Sequence, residues 1–248
     1  MTLPALTFEG VSVSVGTRRL LDGVDLAIPA RGLVGIVGPN GSGKTSLLRT
    51  ALGLLPCASG RVQINGRALA DWPARELARH VGYMAQQAAS HWDLSARELL
   101  QLQAPELPSA LLQRCELVPL LDRRVATLSG GEKARVGVAR ALAHGPRLLL
   151  ADEPAAHLDI PHHHRLMALL KESSRDRAVV LVLHDLHVAS LYCDQLAMMA
   201  EGRLVARGTP AQVLTPECLA QAYGEPVTTH AVRGLHFFTG AQAAEEVL

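Results

Sequence analysis

Aromatic residues, cysteines and long apolar runs are all scarce in this 248-residue sequence. Phe, Tyr and Trp together make up 3% of it, and none lies between Phe8 and Trp72. The cysteines are Cys57, Cys115, Cys193 and Cys218. They are scattered without a C-x-x-C pair, which predicts reduced thiols in a cytosolic protein. The longest apolar run, AVVLVL from Ala178, has the length of a strand, whereas a membrane-spanning helix needs about 18 apolar residues or more.

An excess of charge is also lacking. The formal net charge is +1 and no run of Lys or Arg stands out. This balance argues against a nucleic-acid-binding protein, because such proteins carry a basic face. The opening MTLPALTFEG lacks the basic start and apolar core of a signal peptide. If the protein works at a membrane, we expect a partner to hold it there.

The sequence does contain enough apolar residues, 48% of the total, to predict a sizeable core. Its length suits one large domain or one domain with an inserted lobe. Apolar residues alternate with period two between Leu6 and Ile28 and predict short antiparallel strands. GLVGIVG from Gly32 predicts a buried strand, and TSLLRTALG after it predicts a helix closed by Gly53. GRVQING, from Gly60, predicts another strand.

The middle of the chain turns helical from about 87 to 127, where Ser95 and Glu98 form the S-x-x-E pattern of a capping box. A second capping box, Ser129 with Glu132, opens a helix that runs to Gly145. RLLLAD and AVVLVLH follow with the continuous apolar character of buried parallel strands. LAMMAEGRLVARG predicts a hairpin, and the last forty residues are a weakly patterned tail.

A glycine-rich loop provides the clearest functional motif. GPNGSGKT, from Gly38 to Thr45, fits G-x-x-x-x-G-K-[ST] with a strand before it and a helix after it. The backbone N–H groups of such a loop wrap a β-phosphate, Lys44 neutralises β- and γ-phosphate oxygens, and the Thr45 hydroxyl holds Mg²⁺. The alternative, a glycine-rich turn without a ligand, is disfavoured by the flanking strand and helix.

Two acids follow the strand in LLLADEP. Asp152 ends the strand, where a carboxylate can reach the Mg²⁺ shell, and Glu153 stands next to it as the candidate general base. A solvated loop is the alternative, but a buried parallel strand delivers its end to the ligand crevice. His184 ends a second such strand. A lone histidine there is more often structural, and its place after the Asp152 strand favours a γ-phosphate contact.

The stretch LSGGE presents a second place for an anion. Ser129 can cap the helix, while Gly130 and Gly131 permit a close approach to its first turn, where free N–H groups and the helix dipole favour a phosphate. The stretch contains neither a nucleophile nor a metal ligand. One chain therefore carries two candidate phosphate-binding helix starts.

In this order, the motifs resemble those of the ATPase subunit of ATP-binding cassette (ABC) transporters over nearly the whole chain. GPNGSGKT resembles the family's Walker A motif and LLLADEP its Walker B motif, and LSGGE is identical to its signature motif. AHLD, which ends at Asp159, resembles the D-loop, and His184 sits where the switch histidine sits. Gln86 in YMAQ matches the Q-loop glutamine, which contacts Mg²⁺ and marks the joint to the helical lobe.

The resemblance implies that two cassettes face each other head to tail, so that the signature helix of one closes over the nucleotide bound to the other. ATP and Mg²⁺ are then the implied ligands, and a homodimer is expected because every motif is intact in this chain. Catalytic roles fall to Glu153, His184 and Gln86. Nucleotide binding in the chain's own loop falls to Gly38, Asn40, Gly41, Ser42, Gly43, Lys44, Thr45 and Ser46. Binding of the partner's nucleotide falls to Ser129, Gly130, Gly131 and Asp159. Mg²⁺ binding falls to Thr45, Gln86 and Asp152.

The resemblance also implies the fold, an α/β P-loop NTPase core with a mainly parallel sheet, an N-terminal antiparallel β subdomain and an inserted helical lobe. We expect a single ABC ATPase domain over 1–248. Its parts are the β subdomain with the phosphate loop (1–86), the helical lobe with the signature helix (87–145), the core with Walker B, the D-loop and the switch histidine (146–208), and the C-terminal tail (209–248).

The final third of the chain most resembles the branch of the family that imports metal chelates, namely ferric siderophores, haem and vitamin B12. The short helical lobe and LTPECLAQAYG favour vitamin B12 as the first candidate cargo. The implied partners are a second copy, transmembrane permease subunits and, indirectly, a periplasmic binding protein, with no nucleic acid. The implied location is the cytoplasmic face of the inner membrane, held peripherally by the permease.

One departure concerns the base. The family usually stacks adenine on an aromatic residue in the N-terminal strands, and the matching place here is about Val15. Three alternatives stay open: the ATPase of another importer or exporter, a soluble ABC-type ATPase acting on DNA or ribosomes, and a small-molecule kinase. The soluble type usually carries long coiled coils or two cassettes, and a kinase would not need LSGGE. The run His162 to His164, close to His157, could suggest a metal cluster, but consecutive histidines on a helix point in different directions and no acidic or Cys partner has ligand spacing. An exposed helix face after the D-loop is therefore the prediction.

Overall fold

The structure is a computed structural model that describes residues 3–86, 93–156, 158–232 and 235–240. Its strands are β1 (Leu6–Val15), β2 (Arg18–Ile28), β3 (Gly32–Val37), β4 (Ser59–Ile64), β5 (Arg67–Ala68), β6 (Val81–Met84), β7 (Leu148–Asp152), β8 (Ala178–Val182), β9 (Gln195–Ala200), β10 (Arg203–Gly208), β11 (Val227–Val232) and β12 (Leu235–Gly240). Its α-helices are α1 (Lys44–Ala51), α2 (Ala74–His80), α3 (Ala96–Gln101), α4 (Ser109–Arg114), α5 (Gly130–Leu142), α6 (Ile160–Ser173), α7 (Leu186–Tyr192), α8 (Pro210–Val213) and α9 (Pro216–Tyr223).

The N-terminal sheet is antiparallel, as predicted, with the strand order β2-β1-β4-β5. Its first two strands are long rather than short, because a single tight hairpin joins them and irregularities in register absorb the breaks in the alternation. One such shift lies between Phe8 and Val11, which are both buried although they are three positions apart. Bulges of this kind let a strand bend while its apolar side chains stay on the core face.

The second sheet has the order β10-β9-β3-β8-β7-β6. The strands β9, β3, β8, β7 and β6 run parallel, and β10 forms the predicted hairpin with β9 and lies antiparallel at the edge. The predicted fold class is confirmed. The sequence did not predict β6, whose four residues include Gly82 and are too few to show a pattern. At Gly82 a Cβ would collide with the Ala141 carbonyl, so glycine lets α5 approach this strand closely.

Two apolar cores lie on the two faces of the parallel sheet. One face packs against α1 and the antiparallel sheet. The other packs against α5, α6, α7 and the C-terminal helices, and the same core continues into α3 of the helical lobe. Because parallel strands buried on both faces bring their carboxyl ends to one edge, β3, β7 and β8 deliver Gly38, Glu153 and His184 to the same side of the molecule.

The helical lobe is confirmed from residue 93 onward, and residues 87–92 of the predicted lobe lie outside the described residues. Ser95 and Ser129 cap α3 and α5 with both halves of their capping boxes present. The weakly patterned tail does contain helices, because Thr209 and Thr215 begin α8 and α9, each with a proline in the first turn. These helices have 4 and 8 residues, too few to display a helical period. A hairpin of β11 and β12 follows. Of the described helices, none has both the length and the apolarity needed to cross a bilayer.

Candidate nucleotide site

The phosphate loop joins β3 to α1, and its backbone admits only glycine at two positions. Gly38 has φ 139, and a Cβ there would overlap the Met199 carbonyl oxygen. Gly43 has φ 101, and a Cβ there would lie 2.8 Å from the Leu20 carbonyl oxygen. The second contact matters for the site as a whole, because it places the β1–β2 hairpin directly against the loop.

The start of α1 suits an anion. Its N-cap is Gly43, in the left-handed region, and no described side chain caps the helix. The backbone N–H groups of a first turn without a cap have no partner within the helix, and the helix dipole adds partial positive charge at the same place. A phosphate held here would satisfy those donors.

Lys44 is curled over this loop. Its side chain is buried, and Nζ donates to the carbonyl oxygens of Gly38 and Pro39 at 2.8 Å each. Burial lowers the pKa of Lys44, and the nearby carboxylates of Glu153 and Asp152 oppose that shift. A phosphate oxygen beside Nζ would supply the anionic partner that the two carbonyls only partly replace.

Asp152 and Thr45 form an oxygen-rich pair at the end of β7. Asp152 is 2% exposed, and the Thr45 hydroxyl donates to its Oδ1 at 3.2 Å. Burial raises the pKa of Asp152, and the hydrogen bond from Thr45 opposes the rise. Hard oxygen donors of this kind are what Mg²⁺ prefers, and a divalent cation beside the buried carboxylate would favour its ionised form. The residues present therefore fit the ion.

The Glu153 carboxylate interacts with two side chains. Gln86 Nε2 donates to one carboxylate oxygen at 2.8 Å, and His184 Nε2 lies in hydrogen-bond contact with the other. The backbone of Glu153 has φ 50, an uncommon conformation for a residue other than glycine and one that clusters at functional sites. The structure thus brings together the three residues to which the resemblance assigns catalytic roles, beside the Thr45–Asp152 pair.

The signature motif begins α5 as the sequence predicts. Glu132 N donates to Ser129 Oγ at 3.2 Å, and Ser129 N donates to Glu132 Oε2 at 2.8 Å. The bond from the Ser129 backbone holds the pKa of Glu132 below its ordinary value. Over the residues that the structure describes, no hydrogen bond or ion pair joins Ser129, Gly130 or Gly131 to the phosphate loop. The two candidate phosphate sites of one chain are therefore not in hydrogen-bonding contact.

Asp159 caps α6 in its own chain. Its Oδ1 accepts from the backbone N of His162 at 3.1 Å and contacts the ring Nδ1 of the same residue at 2.5 Å. The expectation that the histidine run forms an exposed face is wrong, because His162, His163 and His164 are all half-buried and His164 contacts the Tyr192 hydroxyl. His157 lies outside the described residues. The sequence did hold one signal for His162, its place three residues after a helix-capping Asp.

Val15 lies at the tip of the β1–β2 hairpin and is 56% exposed. Its partner across the hairpin is Arg18, whose side chain is exposed too. Two residues further on, Leu20 meets the phosphate loop at Gly43. The place where an aromatic residue was expected is thus near the loop and is occupied by an exposed aliphatic side chain.

Comparison with known proteins places these features in a family. A family model described as "ABC transporter" matches residues 21–156. The chain is 38% identical over 231 residues to the hemin import ATP-binding protein HmuV of Streptomyces coelicolor, covering 88% of this chain and 82% of the relative. It is 34% identical over 239 residues to the protein of the same name from Escherichia coli O157:H7, covering 90% of this chain and 93% of the relative.

Solved structures of ABC transporter subunits have the same fold. The structure of cbiO1 from Clostridium perfringens, described as part of the ABC transporter complex cbiONQ, has 26% identity and a TM-score of 0.78, covering 88% of this chain and 94% of that one. An ATP-binding subunit of an ABC transporter has 27% identity and a TM-score of 0.75, covering 89% of this chain and 93% of that one. The resemblance seen in the motifs is confirmed. The vitamin B12 expectation is not supported, because these sequence relatives are named for hemin import.

Proposed function

Because the chain belongs to the ABC transporter family of ATPases, we propose that it is the ATP-hydrolysing subunit of an importer and works by ATP-dependent closure of two copies. The observation that carries the proposal is the arrangement around Glu153. A carboxylate held by Gln86 and His184 stands beside the pair formed by half-buried Thr45 and buried Asp152, and beside the phosphate loop. This is the set of groups that hydrolysis of a bound nucleoside triphosphate requires.

Each residue then has a role that its position supports. The loop from Gly38 to Ser46 binds the phosphates, with Lys44 against their oxygens. Thr45 and Asp152, with Gln86, would hold Mg²⁺, which supplies charge neutralisation on the β- and γ-phosphate oxygens. Glu153 accepts a proton from the attacking water, and His184 orients that carboxylate and reaches the γ-phosphate.

The signature helix acts on the other copy. Ser129, Gly130 and Gly131 form an anion-binding helix start that makes no hydrogen bond to the loop of its own chain in the described structure. We therefore place the γ-phosphate of the neighbour's nucleotide there, with Asp159 of the same chain facing that nucleotide too. The neighbour's signature helix and the neighbour's Asp159 act in turn on the nucleotide of this chain. Two copies would close two composite sites, and hydrolysis would release them. This is a two-state switch driven by the ligand.

The cargo is a metal chelate, with haem as the first candidate. The support is the printed name of the relatives, which are hemin import proteins over most of the chain's length. A permease in the membrane and a periplasmic binding protein would complete the importer, and the chain would act at the cytoplasmic face of the membrane through that permease.

The chemistry is tested by Glu153→Gln, which keeps the size of the side chain and removes the base. Loss of a general base lowers a rate by about 10²–10⁴-fold, so ATP hydrolysis should nearly stop while ATP binding persists and a closed dimer accumulates. Glu217→Gln, at an exposed position in the first turn of α9, is the matched control and should hydrolyse ATP normally. A Glu153→Gln protein that retains half of the normal rate would overturn the assignment.

The shared site is tested by mixing two damaged chains, each also carrying Glu153→Gln to block hydrolysis. Ser129→Arg fills the glycine-lined helix start with a bulky cation, and Lys44→Ala weakens phosphate binding on its own loop. Neither variant should pair alone. The mixture contains one intact composite site, made of the loop from the Ser129→Arg chain and the signature helix from the Lys44→Ala chain. Sedimentation with ATP should therefore show mixed dimers; if the mixture remains monomeric, the shared site is wrong.

A further inference from the structure

His162 contacts the two elements of one chain that would act on a neighbour's nucleotide. A Cβ built on Gly131 would lie 2.8 Å from His162 Cγ and 3.2 Å from His162 Cβ. The position of Cβ is set by the backbone and does not change with the rotamer. The base of the His162 side chain, as well as its ring, therefore packs against the signature helix. The absence of a side chain at Gly131 is what admits this contact.

The same ring holds the D-loop carboxylate. His162 Nδ1 lies 2.5 Å from Asp159 Oδ1. The Asp159 side chain is 66% exposed, so burial does not fix its position. The bond from the His162 side chain is also the main reason that the pKa of Asp159 lies below its ordinary value. Leu158 adds a second link between the D-loop and the signature helix, since a Cβ on Gly130 would lie 3.6 Å from its Cδ2.

We propose that His162 is a positioning residue that holds Asp159 of the D-loop and the helix start at Gly131 as one unit, so that both reach the neighbour's nucleotide in register. This inference rests on the composite site proposed above. It gives Gly131 a reason to be glycine besides phosphate approach, which is that a larger residue would push His162 and the D-loop away.

The test uses the same mixture of Ser129→Arg and Lys44→Ala chains, both with Glu153→Gln. His162→Leu keeps an apolar side chain against Gly131 and removes the ring contact with Asp159, while the backbone N of residue 162 can still donate to Asp159 Oδ1. Placed in the Lys44→Ala chain, which supplies the intact signature helix, it should weaken ATP-dependent pairing about tenfold, the order expected for one hydrogen bond to a charged group. Placed in the Ser129→Arg chain, whose signature helix is already blocked, it should change pairing by less than about twofold.

Two further variants separate positioning from stability. His162→Asn restores a short donor to Asp159 and should recover most of the pairing. His164→Leu, on the same helix, removes the contact with Tyr192 and is the matched control, which should leave pairing nearly unchanged in both placements. Thermal unfolding of each chain shows whether any loss is structural.

Equal weakening in both placements, or no weakening in either, overturns the proposal for His162 while leaving the shared site intact. If the parent mixture fails to pair, the composite site itself is wrong, and the role of His162 falls with it. The Ser129→Arg chain that carries His162→Leu keeps Lys44, and on its own it should bind ATP normally. A loss of ATP binding there would assign His162 to the chain's own site and contradict the proposal.

Discussion

At the scale of single residues, Val15 sets an expectation about the base. The hairpin tip that carries Val15 and Arg18 returns to the phosphate loop through Leu20 and Gly43, so the tip lies where a base could reach it. An aliphatic side chain offers no aromatic platform. We expect competition binding to show a preference for ATP over GTP below about tenfold, or 1.4 kcal/mol.

A gain of function makes this expectation sharper. Val15→Tyr should strengthen ATP binding by up to about 1–3 kcal/mol, the size of a stacking contact, and Val15→Leu should not. If the unaltered chain already prefers ATP by far more than tenfold, another group recognises adenine. If Val15→Tyr changes nothing, the base does not lie over the hairpin tip.

Single residues also show what a sequence can and cannot indicate. The position of Lys44 followed from a motif that carries its own geometry, strand to loop to helix, and those of Asp152 and Glu153 followed from the end of a buried strand. The hydrogen bond between Gln86 and Glu153 could be expected only from the family resemblance, since 67 positions separate the two residues in the chain. The role inferred for His162 depends on how α5 packs on α6, which no local pattern records.

At the scale of elements, the two capping boxes provide a matched pair. Ser95 caps α3 and Ser129 caps α5 with the same two hydrogen bonds. Replacing either serine by alanine removes a cap and should cost about 1 kcal/mol of unfolding free energy. Only Ser129→Ala should also weaken ATP-dependent pairing, because only α5 is proposed to face a neighbour's nucleotide.

Urea unfolding measures the change in unfolding free energy. Sedimentation with ATP measures pairing, with Glu153→Gln present in each variant. The shared capping chemistry makes Ser95→Ala the control for a helix that merely frays. An equal loss of pairing in both variants would mean that capping alone, and not phosphate contact, explains the role of Ser129.

Elements were predictable where a capping box led into apolar residues or where a continuous apolar run marked a buried strand. Capping boxes and continuous apolar strands gave α3, α5, β7 and β8 with nearly correct bounds. The short α8 and α9 carried start signals, Thr-Pro at Thr209 and Thr215, but no period to confirm them. The strand β6 contains only four residues, and its membership in the parallel sheet depends on its partner β7, about sixty residues further along the chain.

At the scale of the whole molecule, one groove joins the helical lobe to the core. It is formed by the segment after α1, by α2 and β6, and by α5, and the lining includes Leu54, Leu77, Met84, Ala85 and Arg140. Leu54 is 63% exposed, a large apolar side chain on open surface. These segments are far apart in sequence, so only the tertiary structure reveals the groove.

The groove ends beside the catalytic cluster, because Ala85 precedes the Gln86 that donates to Glu153. A partner bound there would press on β6, which leads into Gln86. The permease of the importer proposed above is the expected partner, since an importer must connect movement in the membrane to closure over ATP. The mostly apolar lining, with a few polar groups such as Arg140, matches the apolar core expected of such an interface, where Arg is also enriched.

Leu54→Asp tests this assignment. A buried unpaired carboxylate is strongly unfavourable in an apolar interface, so a tagged Leu54→Asp chain should recover at least about tenfold less permease from solubilised membranes, or 1.4 kcal/mol. ATP-dependent pairing of the isolated chain should persist, because Leu54 belongs to neither proposed half-site. Val118→Asp is the matched control: Val118 is 58% exposed on the helical lobe but is not among the groove's lining residues. Equal recovery with both variants would place the permease elsewhere, and loss of pairing with Leu54→Asp would mean that the groove serves contact between copies.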